Sequence, residues 1–291
     1  MGQEEKATRL DRSNTAILVD STADLPPYLA EDPNVSMIPL MVRFGNDVYR
    51  DWIDIKPDQF FAKLKASPEL PTTSQPSVGA FIQEYQRLRA TYEHVYSLHL
   101  SALMSGTIAS ATLAAEEVDG VTVIDTLDVC HSISLLTDRL LVRLDRGTTH
   151  EEFMTYVEHY QKNRGMLFLL ATLDYIYKGG RIGRASHLMG GLLNVKPILT
   201  YVDGNVEPYK KVRGDRKALE AMRDYFLERT VPGKPVFLAI GQAGWAERLE
   251  LLLEMLKATD REVDLRFRGD IGSVIGTYSG PGAIVLFFVQ D

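Results

Sequence analysis

Cysteine is nearly absent. Cys130 stands alone in 291 residues, so no internal disulfide framework can form, and a reducing compartment is expected. No apolar run reaches the twenty or so residues that span a bilayer. The polar, mixed-charge segment Met1–Asn14 lacks the apolar core of a secretory leader and reads as a loose tail. A cytoplasmic protein without stable membrane insertion is the expectation. Basic charge is also short: 32 Lys and Arg against 39 Asp and Glu give a net charge of −7. With no basic stripe, nucleic acid is an unexpected partner. The histidines at 94, 99, 131, 150, 159 and 187 show no His-Glu-x-x-His or comparable ligand spacing, so no metal is expected. No nucleophile–base arrangement stands out, and no cofactor motif is complete.

What is present is an ordered α/β pattern. Thr15–Asp20 is a short apolar run ending in the turn-like Asp20-Ser-Thr-Ala-Asp24, which reads as a buried strand with polar groups at its carboxyl end. A second strand region spans Val35–Phe44, where Pro39 marks an edge or a break. Helical patterns at 57–65 and 76–92, a strand at 94–100, an alanine-rich helix at 108–118 and a strand at 121–125 follow. A leucine-patterned helix through Leu135 and Leu144 comes next, then a helix capped by Thr149 with Glu152 in the capping-box position. After residue 164 the pattern changes. Strands on either side of Asp203-Gly204 form a hairpin signal, and helices alternate with further strands. The fold class is therefore α/β in two domains, a parallel α/β domain over 15–164 and an α+β domain over 165–291.

Two hydroxyl-rich segments carry the chemistry. Pro71-Thr-Thr-Ser-Gln-Pro-Ser77 precedes a helix, and Ser101-Ala-Leu-Met-Ser-Gly-Thr107 precedes another. Each can be an N-cap and a turn. Each can also be an anion site, because a helix start offers free backbone N–H groups, and Gly106 permits close approach of a ligand. Following α/β elements, both could converge at the carboxyl end of one sheet, where open α/β sheets place ligands. Asp20 and Asp125 end strands and could be catalytic acids, though such residues more often order a loop. Lys178-Gly-Gly-Arg181 lacks P-loop spacing and reads equally as a phosphate wrap or a tight turn. Leu188-Met-Gly-Gly-Leu-Leu-Asn-Val195 reads as core or as the wall of an apolar channel.

Together these segments resemble the DegV family of bacterial fatty-acid-binding proteins. The likeness runs in chain order through Asp20–Asp24, Thr73–Ser77, Ser101–Thr107, Lys178–Ile182, Asn194–Ile198, Lys211–Gly214 and Gly280–Gly282. Each motif alone is weak, and the ordered set is specific. The resemblance implies a long-chain fatty acid buried between the two domains in an apolar tunnel. Its carboxylate would be held by Thr73, Ser74, Ser101 and Ser105 with the Gly106 backbone and Tyr278, and Arg181 and Asp20 would make cleft or partner contacts. It implies a carrier rather than an enzyme, with no cofactor, and a separate ATP-dependent fatty acid kinase as a partner in phospholipid metabolism.

Two positions depart from the family pattern. Ala102 stands where the family has the second serine of a pair. Tyr278-Ser-Gly-Pro-Gly282 stands where the family has His-x-Gly-Pro-Gly. A tyrosine donates a hydrogen bond without carrying charge near neutrality, so weak coupling of binding to pH is expected. The rival readings are an enzyme acting on a small anionic or phosphorylated substrate, with Asp20, Asp125 and Arg181 in the cleft, and a member that binds little and acts through protein contacts.

Overall fold

The computed structural model describes residues 9–188 and 195–291. The candidate channel segment lies largely outside the described residues, as does Asn194. A four-stranded parallel sheet runs in the order Val35–Ile38, Thr15–Asp20, His94–His99, Val121–Asp125. Its central strand Thr15–Asp20 is buried at every position, as a run of apolar residues with no polar alternation requires. Ala16 and Leu18 face the helices Val78–Arg89 and Thr107–Ala115 through Phe81, Tyr85 and Ala111. Ile17 and Val19 face the opposite way, into the main core with Ile133, Leu136 and Leu140.

A six-stranded sheet holds the second half of the chain. Its order is Asn205–Arg213, Val195–Val202, Gly165–Leu169, Ala283–Gln290, Pro235–Ala243, Glu262–Asp270, and only the last pair is parallel. Helices Asp215–Glu228 and Ala246–Lys257 cover one face through Leu219, Phe226, Leu252 and Leu256. The hairpin signal is realised: Asp203 and Gly204 both take positive φ, 49° and 77°, between paired strands.

Helix His131–Arg146 lies between the two sheets, and twelve of its sixteen residues are buried. Its side chains join one apolar cluster with Ile17 and Val19 of the first sheet and Val285 and Phe287 of the second. That burial on all sides explains why its apolar pattern reaches beyond one stripe. Two of its buried polar groups reach other elements: Ser134 Oγ donates to Ala23 O at 2.7 Å, and Asp138 accepts two bonds from Arg266 at 3.0 Å.

Pro39 is the break its position allowed, and two local features go beyond or against the sequence expectation. Pro39 separates two strands of different sheets, Val35–Ile38 and Met41–Phe44, since proline cannot carry a ladder bond through the interior. Met41–Phe44 instead centres a small antiparallel sheet with Asp47–Arg50 and Thr72–Ser74. The segment 9–14 is not loose: Arg9–Leu10 pairs with Thr148–Thr149, and Arg12 bridges Asp32 and Asp145 at 2.7 and 2.8 Å. The capping box at Thr149 and Glu152 forms as its spacing predicts.

Candidate functional site

The polar loops converge because of where their strands end. The carboxyl ends of the parallel sheet release Leu40, the Leu100–Gly106 loop and Val129 toward the second half of the molecule. Phe168, Leu170, Leu199, Tyr201 and Val206 close the opposite wall. Between them lies a cavity of about 870 Å³ including its mouth. Its walls are mainly aliphatic and aromatic. Thr73, Gln75, Ser105, Arg181 and Tyr278 gather at one end.

Thr73 reaches the cavity because it lies in a strand. Capping of helix Val78–Arg89 falls to Ser77, whose Oγ accepts from Ala80 N at 3.2 Å. Thr73 is free of that duty, and its Oγ1 lies 2.6 Å from Tyr278 Oη. Strand alternation puts Ser74 on the other side, where it is exposed and does not line the cavity.

The second loop meets the first directly. Gln75 Nε2 donates to Ser110 Oγ at 2.8 Å, and a Cβ at Gly106 would collide with the Gln75 side chain. Ser105 Oγ lies 2.9 Å from Thr107 Oγ1 and accepts from Thr107 N at 3.3 Å, so it orders the turn into the helix, whose N-cap is Gly106, while lining the cavity. Ser101 does not join it. It is wholly buried, accepts from Leu103 N at 3.3 Å and donates to Gly204 O at 3.1 Å, tying the loop to the hairpin tip.

Tyr278 is carried by helix Ser273–Ser279, whose start is held by two buried carboxylates. Asp24 Oδ1 accepts from Gly272 N at 3.0 Å, and Asp51 Oδ1 accepts from Ser273 N at 3.0 Å and Ser273 Oγ at 2.5 Å. Burial pushes the Asp51 carboxyl up to about 6. These acceptors were not recognisable as a pair in the sequence, because they lie more than 200 residues from the helix they hold.

Arg181 stands at the mouth. It donates to Gly179 O at 2.8 Å and to Met104 O at 3.3 Å, with its guanidinium 5.2 Å from the Tyr278 ring centroid. Among the described lining residues it is the one charged side chain. Asp20 is buried away from the lining. Its Oδ1 accepts from Thr22 N and Oγ1 at 3.0 and 2.5 Å, and its Oδ2 accepts from Leu100 N at 2.9 Å. Asp125 likewise orders a loop, accepting from Leu127 N and Ala102 N at 2.8 and 3.2 Å.

His99 lies between Asp20 and Ser97, at 3.1 and 2.6 Å. The order Ser-His-Asp is that of a nucleophilic triad. Here all three residues are wholly buried, none lines the cavity, and Ser97 Oγ accepts from Tyr85 Oη at 2.9 Å. The arrangement ties the ends of two neighbouring strands together.

Comparison with known proteins agrees with this architecture. The family model described as "Uncharacterised protein, DegV family" matches residues 14–291. The chain belongs to the DegV family. A Thermotoga maritima relative named "Fatty acid-binding protein" is 34% identical over 279 residues, 92% of this chain and 95% of that one. The solved structure "Fatty Acid Binding of a DegV family Protein from Thermus thermophilus" superposes with a TM-score of 0.92 at 33% identity, covering 96% of this chain and 100% of that one. "Crystal Structure of DegV, a fatty acid binding protein from Bacillus subtilis" gives 0.87 at 31% identity, covering 96% and 100%. DegV proteins thus bind fatty acids in solved structures, on the same fold. No helix among the described residues is long and apolar enough to cross a membrane.

Proposed function

We propose that this DegV protein carries a long-chain fatty acid in the cavity between its two sheets. The observation that carries the reading is the cavity's polarity. Its walls are mainly apolar, and the Thr73 and Tyr278 hydroxyls stand together with its one charged lining side chain, Arg181, beside the Met104–Ser105 loop. An acyl chain of about fourteen to eighteen carbons gains ~0.8 kcal/mol per buried methylene. That exceeds ordering costs only if the carboxylate also finds donors. Thr73, Tyr278, Ser105 and the backbone around Gly106 are the donors within reach, and Arg181 supplies the compensating charge. Ser74 and Ser101 are left out of the cradle, since one points away and the other is spent on Gly204.

The polar end is also the open end. Thr73, Arg181 and Tyr278 continue into one surface depression, and Ser105, Gly106 and Arg181 into another. A carboxylate seated there faces outward while its methyl end is enclosed. This supports presentation of the head group to a separate ATP-dependent fatty acid kinase, with the carrier itself doing no chemistry. Denaturing the purified protein and identifying the released lipid by mass spectrometry tests the reading. A long-chain acid in stoichiometric amount is expected. No lipid, together with no thermal shift from added fatty acids, would overturn it.

A further inference from the structure

Asp24, Cys130 and His131 form a cluster that the carrier function does not use. All three are wholly or almost wholly buried, and none lines the acyl cavity. Cys130 Sγ lies 3.2 Å from Asp24 Oδ2 and 3.1 Å from His131 Nδ1, and His131 Nδ1 lies 3.9 Å from Asp24 Oδ2. The point equidistant from these atoms is about 2.0 Å from each. Zinc binds His nitrogen and carboxylate oxygen at roughly 2.0–2.2 Å and thiolate sulfur at about 2.3 Å, so an ion slightly out of the plane of the three donors meets all three distances.

A buried carboxylate is normally paired with a positive charge or bound to a metal. Among the described residues no Lys or Arg lies within salt-bridge range of Asp24.

Outer contacts hold two of the donors in place. Asp24 Oδ1 accepts from Trp52 Nε1 at 2.7 Å and from Gly272 N, which turns Oδ2 toward the sulfur. The His131 ring stacks on Phe267 at 5.6 Å and lies against Gly241, where a Cβ would meet the ring at 2.7 Å.

We propose that Asp24, Cys130 and His131 bind a divalent zinc-class ion through Oδ2, Sγ and Nδ1. No fourth His, Cys, Asp or Glu joins the group among the described residues, so the remaining coordination position falls to a small exogenous ligand. The ion would join the Leu127–His131 loop to the segment after Thr15–Asp20. Through Asp24 it would also tie in the start of the helix that bears Tyr278.

The donors are enclosed, so the ion would enter as the chain folds. The test therefore uses full-length protein from zinc-supplemented culture, and the same protein unfolded and refolded with cobalt alone. Elemental analysis should find stoichiometric zinc in the first. The second should show a thiolate-to-cobalt absorption band that Cys130→Ser abolishes. Trp52→Phe, which leaves all three ligands in place, should weaken metal affinity roughly 10–100-fold. Wild-type protein with no zinc in the first preparation and no thiolate band in the second would overturn the proposal. So would zinc that persists in a folded Cys130→Ser, His131→Ala double variant. None of these readouts depends on the acyl ligand.

Discussion

Thr73 Oγ1 and Tyr278 Oη lie 2.6 Å apart across 205 residues of sequence, and both line the end of the cavity where its polar groups collect. One comes from a strand of the small N-terminal sheet, the other from a short helix near the chain's end. The contact is a strut between the halves and, in the proposed function, also a pair of donors for a carboxylate. Tyr278→Phe separates these roles. It leaves the ring under Arg181 and removes only the hydroxyl. Acyl affinity, measured by displacement of a fluorescent fatty acid, should fall by about 1–3 kcal/mol as a charged acceptor loses a buried donor. Unchanged affinity with lowered thermal stability would leave the strut alone.

The two serines of the second loop should behave oppositely. Ser105→Ala removes a hydroxyl that faces the cavity and should weaken fatty acid binding by about 1–3 kcal/mol. Ser101→Ala removes a buried link to Gly204 O and should cost about 1 kcal/mol of stability while leaving affinity nearly unchanged. Urea unfolding and ligand titration on both variants decide it. A larger affinity loss for Ser101→Ala would reverse the assignment of the two residues.

Ser101 and Ser105 also mark how far the sequence could be read. Composition and periodicity made the parallel sheet, the second α+β half and the Asp203-Gly204 hairpin legible, because each depends on local pattern. The Thr73 and Ser105 loops were expected to meet at the carboxyl end of one parallel sheet; the Ser105 loop does leave that sheet, after His94–His99, but Thr73 arrives on a strand of the small antiparallel sheet. What separates Ser105 from Ser101, and Thr73 from Ser74, is the direction of a side chain, set by strand alternation and by a hairpin a hundred residues away. The Asp24, Cys130 and His131 cluster was invisible for the same reason. Metal spacing is sought within one segment, and here one donor lies 106 residues from the next. Asp20 looked like a candidate acid at a strand end, but the strand's neighbours consume both of its oxygens.

The cavity's inner wall should set chain length. Leu170 and Leu199 face it from the second sheet. Leu170→Trp fills space that an acyl chain would occupy, at an overpacking cost of about 1–3 kcal/mol. Affinity for long acids should fall more than affinity for medium-chain acids, read by competitive binding across a series of chain lengths. An equal loss at every length would show that the acyl chain does not pass Leu170.

Asp51 gives the fold an unusual pH response. Its carboxyl is buried and rises from the ordinary 3.8 to about 6, through burial opposed by bonds from Ser273 and Ser21. The protonated form is therefore the one favoured by folding. Its stabilising effect is complete below pH ~4, declines as pH rises to about 6, and is absent above that; the full span corresponds to about 3 kcal/mol. Asp51→Asn keeps an oxygen to accept from Ser273 N and Oγ but cannot ionise. Relative to wild type, its unfolding free energy should improve between pH 4 and pH 7. Denaturant titrations at those two pH values measure the difference, and a variant whose deficit is the same at both would place the ionisation of Asp51 outside this range.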